Sequence, residues 1–428
     1  MSHDVYITGA GVVSAIGINK SATLDALFNQ QTGIEQIRYL QTKHSELLVG
    51  EVKHSNDELH EMLFIPPSEA FIRSSLLAIP AVSEAMQQAQ LSSLVGARQS
   101  CDDHQVDKNQ PLSIVFLSGI TVGGMDQAEQ WYSDFLHSDS KNNYIELNDC
   151  GACAEQIADY FGCFRTVSTI VTACSSSANT IMMGADLIKS GRADIVVAGG
   201  TECLSRYHVN GFNTLMILDK SICKPFDRDR SGINLGEGAG YLVLESVESV
   251  KRRNVRPIAM VSGYCNVCDA YHPTASSPDG LGPFLAMKGA LEAAKLRPDD
   301  IDYLNAHGTG TPNNDLTEGL AVMRLFGEMI PPLSSIKAFT GHTTSAAGSF
   351  EAVVSLLALS NNFLPINLNF KNRIEEHNFS PITSPVSSRP LNHVMSNSFG
   401  FGGNDSSIVF SLAMTGPGTC EIATLRSQ

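Results

Sequence analysis

Positive charge is scarce in this chain: 29 Lys and Arg stand against 44 Asp and Glu, a formal net charge of -15. A nucleic acid as main partner needs a basic field over the contact surface, so that class is excluded, although a local basic patch is not. The densest basic run, KRRNVR at 251–256, follows LVLESVESV and reads as the solvated end of a helix, where the dipole favours cations. No stretch approaches the roughly 18 uninterrupted apolar residues of a membrane span. No basic segment precedes the first apolar run, and Gly9, Gly11 and Gly17 break that run, which argues against a secretory leader and makes the cytoplasm the expected location. Ten cysteines in such a chain read as reduced thiols rather than as a disulfide framework. There is no low-complexity tract and no convincing short repeat.

What is present is a composition for a large core: 43% of the 428 residues are hydrophobic and 17% charged. DVYITGAGVV, SIVFLSGI, VSTIVTAC, DIVVAGG, GAGYLVLES and IAMVSGY are short β-rich runs that end near small or turn residues. Helix-like stretches such as SSANTIMMGADLIKSG lie between several of them, and strands alternating with helices imply an α/β protein with mixed or largely parallel sheets. The same grammar returns more loosely after Arg256: GPFLAMKGALEAAKL as helix, DYLNAHGTGT as strand then loop, GSFEAVVSLLALSNN as helix. Two α/β halves are expected, 1–255 and 256–428. The polar, aperiodic 101–110 reads as a surface insertion.

Two Cys-x-x-Cys pairs, Cys150/Cys153 and Cys265/Cys268, raise the question of zinc. They lie more than a hundred residues apart with no third pair, whereas structural zinc wants four organised ligands, so no metal is expected. Cys174 has a different setting. VSTIVTA leads into it and SSSANTIMMGADLI follows, which places the thiol where a buried strand turns into a helix. A helix N-terminus favours thiolate over thiol; a packed structural cysteine fits the same residues. His307 in NAHGTGT and His342 in SIKAFTGH tip the balance, because each follows a strand and sits beside Gly and Thr, as loop ends converging on one pocket would.

TACSSSANT, PFDRDRSGINLGEGAGYLVLE, NAHGTGTPNND, SIKAFTGHTTSAAGSFEAV and NSFGFGGND occur in the order and approximate spacing of one family. The chain resembles the β-ketoacyl-acyl carrier protein synthases, in their elongating Cys-His-His branch, from ITGAGVVS at the start to FGFGG near the end. The resemblance implies a thiolase fold, two similar halves in α-β-α-β-α layers, and a two-fold dimer through the central strands near Cys174. It implies a decarboxylative condensation in fatty acid or specialised polyketide or polyene synthesis. Cys174 would take the acyl group from acyl carrier protein, and His307 and His342 would polarise the malonyl thioester carbonyl. The backbone N–H groups of Cys174 and Phe401 would form the oxyanion hole, Phe401 doubling as a gate.

The resemblance further makes Lys337 and Glu351 a buried supporting pair, and Thr309 and Thr311 the hydroxyls for the phosphopantetheine arm. It makes Asp315 and Glu318 organisers of their loop, and Asp227, Arg230 and Glu237 architectural. Arg73 and Arg206 are candidates for the basic entrance that docks the acidic carrier. No cofactor is implied, since substrates ride on the carrier's arm. The partner is acyl carrier protein, and the second subunit is a like chain or a related ketosynthase-like one. One motif departs: Gly402-Gly403-Asn404-Asp405 stands where the family has GGTN, which bears on hydrogen bonding beside the gate and fits a specialised substrate. Three rivals are a silent chain-length-factor partner, which lacks the active cysteine; a thiolase, which uses a second cysteine near the C-terminus; and a starter-condensing synthase, which has asparagine at the position of His342.

Overall fold

The computed structural model describes residues 4–94, 112–384, 386–387 and 390–413. The insertion expected at 101–110 lies outside them. Ten strands carry the architecture: β1 Val5–Ser14, β2 Ile114–Gly119, β3 Thr166–Ile170, β4 Ile195–Glu202, β5 Gly238–Ser246, β6 Ala259–Cys268, β7 Tyr303–Asn305, β8 Leu333–Ser334, β9 His393–Gly400 and β10 Asn404–Leu412. They form one sheet in the order β8-β7-β9-β10-β6-β1-β5-β4-β2-β3. From the centre outward, one half runs 1-5-4-2-3 and the other 6-10-9-7-8, the same order shifted by five. Pairing repeats as well: each half has two antiparallel ladders nearest the centre and two parallel ladders beyond. The halves join where β1 pairs with β6 over three residues, Val5 to Ile7 against Val261 to Ala259.

Helices repeat in step. α1 Arg73–Gln88, α2 Cys150–Phe161 and α3 Ser176–Lys189 follow β1, β2 and β3; α4 Arg206–Thr214 follows β4; α5 Leu281–Ala294, α6 Pro312–Phe326 and α7 Ala347–Asn361 follow β6, β7 and β8. α3 and α7 pack on each other and on strands of both halves, α1 lies on β1 and β5, and α5 lies on β6 and β10. This gives the thiolase layering, with α3 and α7 as the middle layer. Residues of α7 on every face, from Ala347 through Phe350 and Val353 to Leu359, are buried accordingly, as expected of a helix with protein on both sides.

The glycines of ITGAGVV have a structural reason. A Cβ on Gly9 would stand 2.0 Å from the Ala85 carbonyl oxygen, and one on Gly11 2.0 Å from that of Ala81. Backbone-to-backbone approach of α1 to β1 needs both. The eight cysteines among the described residues are free thiols, and among those residues no helix is long and apolar enough to cross a membrane. KRRNVR does end a helix, Val247–Arg253, but one cation there is not solvated. The Arg253 side chain is 11% exposed, paired with Glu245 and bonded to the Ala89 carbonyl. Its partner, buried on β5, draws it inward.

Candidate active site

The β3-to-α3 turn is tight. Ala173 adopts φ +52°, a left-handed conformation that costs a non-glycine residue roughly 1–3 kcal/mol. Small hydroxyl residues hold it there. Ser176 Oγ accepts from the Thr172 N–H at 2.9 Å and donates to the Ala173 carbonyl at 2.7 Å, and Ser175 Oγ donates to the Thr172 carbonyl at 2.8 Å. The run of serines therefore clamps the elbow that presents Cys174. Gly400 lets the end of β9 pass, since a Cβ there would stand 3.2 Å from the Cys174 nitrogen.

The thiol is buried, and burial pushes it up to about 11, against the pull of the Phe401 N–H, the Lys337 ammonium and its own N–H. Burial thus favours the thiol form against the donors that surround it.

His307 follows β7. Its N–H and that of Gly308 donate to Glu318 at 2.9 and 2.8 Å, and Asn397 Nδ2 donates to the same carboxylate at 3.1 Å. His342 follows β8 through the short helix Lys337–Thr340, its N–H bonded to the Asn234 carbonyl at 2.8 Å. The two rings lie 5.3 Å apart at 84°. Lys337, 1% exposed, stands among them: Nζ meets Glu351 Oε1 at 2.6 Å and His307 Nδ1 at 3.3 Å and donates to the His307 carbonyl. Those three donations use all three N–H groups of an ammonium, so His307 Nδ1 is an acceptor and the ring proton resides on Nε2. Burial, then Lys337, holds both imidazoles well below the ordinary histidine range. Burial likewise raises Glu351 to about 7, with Lys337 opposing. The field of one lysine thus reaches the thiol and both imidazoles.

Phe401 begins the β9–β10 turn. Its N–H is the largest of the influences that oppose the rise of the Cys174 thiol, and its ring stacks on Phe212 of α4 at 5.8 Å. Phe399, two residues back on β9, packs 5.8 Å from the His307 ring. Thr309 and Thr311 share a hydroxyl hydrogen bond of 2.8 Å. Asp315 accepts from the Gly310 and Phe226 N–H groups, and Arg230 donates to the Thr311 and Pro312 carbonyls. Asp227 accepts from the Lys371 and Asn372 N–H groups. These are loop braces. Asp405, on β10 opposite Phe399, is buried with Oδ2 unpartnered among the described residues.

Arg73 does not serve as a surface docking cation, which corrects the sequence expectation. It is 7% exposed, and its Nε and Nη2 bond Glu237 at 2.9 and 2.5 Å while the other donors go to Asn56 and the His54 and Val52 carbonyls. A guanidinium buried and paired in this way presents no exposed charge to a partner. Arg206 opens α4 with its side chain 43% exposed; Nε meets the Glu129 carboxylate at 3.3 Å, Nη2 donates to the Glu129 carbonyl, and the backbone N–H donates to the same carboxylate at 2.8 Å.

Sequence reasoning missed four participants. Phe399 was legible, since FGFGG sets a second aromatic two residues before Phe401. Phe212, Ala173 and Asn234 carry no local signal; tertiary contacts alone define them.

A buried thiol, two neutral N–H donors and backbone N–H groups at the sulfur suit acyl transfer and stabilisation of a developing oxyanion. Two family models match the chain: Beta-ketoacyl synthase, N-terminal domain, over residues 2–249, and Beta-ketoacyl synthase, C-terminal domain, over residues 258–371. The 3-oxoacyl-[acyl-carrier-protein] synthase 2 of Staphylococcus aureus (strain COL) is 32% identical over 420 residues, covering 95% of this chain and 97% of that one. The Coxiella burnetii (strain RSA 493 / Nine Mile phase I) protein of the same name is 31% identical over 423 residues, covering 95% and 98%. Among solved structures, the ishigamide ketosynthase/chain length factor superposes with a TM-score of 0.84 at 28% identity, covering 96% and 99%. A ketosynthase in complex with its chain length factor from Xenorhabdus doucetiae does so with 0.80 at 30% identity, covering 96% and 98%. With both family models in sequence along the chain and relatives matched over nearly its whole length, this protein belongs to the β-ketoacyl synthase family.

Proposed function

We propose that this chain joins an acyl group held on Cys174 to malonyl-acyl carrier protein, releasing carbon dioxide and β-ketoacyl-acyl carrier protein. The observation that carries this reading is the Lys337 cluster, which keeps both imidazoles neutral beside a buried thiol. In the first half-reaction the Cys174 sulfur attacks the acyl thioester carbon and the carrier's thiol leaves. The resting thiol must give up its proton as it attacks, and the neutral imidazoles are the bases at hand. The tetrahedral oxyanion is held by the N–H groups of Cys174 and Phe401.

In the second half-reaction the bond from the malonyl α-carbon to its carboxylate breaks. The electron pair flows to the thioester oxygen, where His307, with its proton on Nε2, and His342 stabilise the enolate. The enolate carbon then attacks the acyl-cysteine, and Cys174 departs as thiolate and takes a proton from solvent, its own having left with the carrier's thiol. A protonated imidazole at rest would be the weaker arrangement, because its charge would bind the malonyl carboxylate that has to leave. The reaction needs no resident cofactor, and the carrier's phosphopantetheine arm meets Thr309 and Thr311.

Arg206, rather than Arg73, is carried forward as the carrier-docking cation. It lines a surface groove of about 820 Å³ with Lys43 and His44. The second subunit, a like chain or a related ketosynthase, pairs along β3. That strand ends the sheet, four residues before Cys174, with Val171 53% exposed beside it, and an unpaired strand edge is a template for pairing. The working compartment is the cytoplasm, and the pathway is fatty acid or specialised polyketide synthesis.

Intact-mass spectrometry of the protein mixed with acyl carrier proteins bearing different chains tests this reading. An acyl adduct on the wild type and none on Cys174→Ala is expected. No adduct from any carrier, alone or with a second subunit, would favour the silent-partner reading.

A further inference from the structure

Phe401 stands in a turn that its own backbone does little to fix. Gly402 and Gly403 follow it at φ +82° and +78°, a region that glycine enters at little cost and leaves as readily. A Cβ on Gly402 would meet nothing nearer than Asn404 Nδ2 at 3.7 Å, so that glycine serves conformation and not close packing. The chain is tied before Phe401, where a Cβ on Gly400 would stand 3.2 Å from the Cys174 nitrogen, and after it, where the Gly402 N–H donates to the Pro273 carbonyl at 2.7 Å. Phe401 itself makes no hydrogen bond to another backbone group among the described residues. Its ring does the holding.

That ring lies 5.8 Å from the ring of Phe212 at 20°, within the range of stacked aromatic pairs. Phe212 has a firm seat. It falls in the last turn of α4, four residues after His208, so the two share a helix face. His208 is buried, with its ring 6.5 Å from that of Phe212 at 62°. The cap of the helix pins it: Ser205 Oγ accepts from the His208 N–H at 3.1 Å and lies 3.3 Å from its Nδ1. Phe212 also packs against a small apolar cluster of Leu47, Val49, Leu204, Val209 and Leu235. Leu235 stands between Asn234, whose carbonyl takes the His342 N–H at 2.8 Å, and Gly236, whose N–H donates to the His342 carbonyl at 2.9 Å. One support therefore carries both the imidazole of His342 and the ring under Phe401.

We propose that Phe212 is a positioning residue for Phe401: the stack fixes the ring, and with the ring the Phe401 N–H beside Cys174, across a turn that its glycines leave loose. Phe212 touches no reacting atom and acts through Phe401 alone. The idea rests on the proposed condensation for what the Phe401 N–H does to an oxyanion; the stack itself is independent of that reading. Losing one ring pair should lower the share of the held turn by about two- to tenfold.

Acylation of Cys174 is timed by intact-mass spectrometry over a range of acyl carrier protein concentrations for wild type, Phe212→Leu, Phe401→Ala and the double variant. Leucine keeps the apolar seat filled and removes only the ring. Phe212→Leu is expected to slow the saturated rate by about two- to tenfold with KM for the carrier unchanged, and Phe212→Tyr, which restores a ring, to recover it. In the Phe401→Ala background, Phe212→Leu should cost nothing more, because the ring it serves is gone. Equal losses in both backgrounds, or a full rate in Phe212→Leu, would overturn the proposal. Hydrogen exchange reads the stack without turnover: the peptide spanning Phe401 should exchange faster in Phe212→Leu and return to the wild-type rate in Phe212→Tyr, with the peptide spanning His307 unchanged. Unaltered exchange at Phe401 would overturn the proposal as well. No adduct on any form from any carrier would count against the condensation reading, while the exchange arm still decides the stack.

Discussion

Replacing Lys337 with methionine separates the stability of this site from its chemistry. Lys337 Nζ lies 2.6 Å from Glu351 Oε1, both side chains at most 2% exposed. At an effective dielectric near 20 the attraction is about 6 kcal/mol, offset by several kcal/mol of desolvation for each ion. Removing the cation leaves the desolvation of Glu351 uncompensated, and breaking a buried pair in this way costs about 3–5 kcal/mol. Glu351, already raised to about 7, loses the partner that lowers it and takes up a proton, which limits the loss. Lys337→Met with Glu351→Leu deletes both ions and should recover most of the stability in urea melts. Elongation should not recover. Without Lys337, His307 loses the donor that fixes its proton on Nε2 and the field that keeps it neutral, so the acid limb of the rate profile moves to higher pH. A double variant that regains stability and full elongation would refute the assignment of Lys337 to the imidazoles. A single variant losing less than about 1 kcal/mol would refute the buried-pair energetics.

Three further outcomes follow from the geometry. Alkylation of Cys174 by iodoacetamide should keep accelerating as pH rises toward about 11, with the Cys174→Ala form as blank, and a plateau near neutrality would show that the thiolate is the resting form. Arg73→Ala should cost about 3–5 kcal/mol in a melt because it orphans Glu237, whereas Arg206→Glu should leave the melt unchanged and raise KM for acyl carrier protein; an unchanged KM removes Arg206 from the entrance. Ala173→Val should lose about 1–3 kcal/mol and much of the acylation rate, since a β-branched residue resists φ +52°, and Ala173→Gly should retain both. Equal behaviour of the two variants would mean that the elbow does not need its left-handed turn.

The strands were legible from their apolar β-rich runs, but their ends were not: Ile195–Glu202 continues two residues past its glycines, and Val5–Ser14 runs through Gly9 and Gly11, where the sequence suggested a loop. The position of Cys174 was legible, because VSTIVTA and SSANTIMM differ in period and the thiol falls between them. Charge fate was not legible. Arg73 opens a helix and Arg253 closes one, places where sequence alone expects solvated cations, yet each is drawn inward by a glutamate on or just before β5. The burial that raises the Cys174 thiol was not legible either: a helix terminus is visible in sequence, but burial is a sum over distant elements.

The internal repeat explains why the two halves together make one site. Cys174 follows β3 on the way to α3, and His342 follows β8 on the way to α7, so nucleophile and imidazole occupy equivalent turns. α3 and α7 pack against each other in the middle layer, which brings those two turns together. His307 follows β7, whose counterpart β2 is followed by Thr121, and Thr121 serves Glu202 through its N–H at 2.9 Å. The corresponding loop of the first half therefore braces the interior where that of the second half carries the imidazole proposed to stabilise the enolate. A fold built from two copies offers each functional position twice. The proposed condensation of an acyl chain with a malonyl unit needs two unlike ends, a nucleophile and a stabiliser of negative charge, and the two equivalent turns, one carrying a thiol and the other an imidazole, supply both within the same layers.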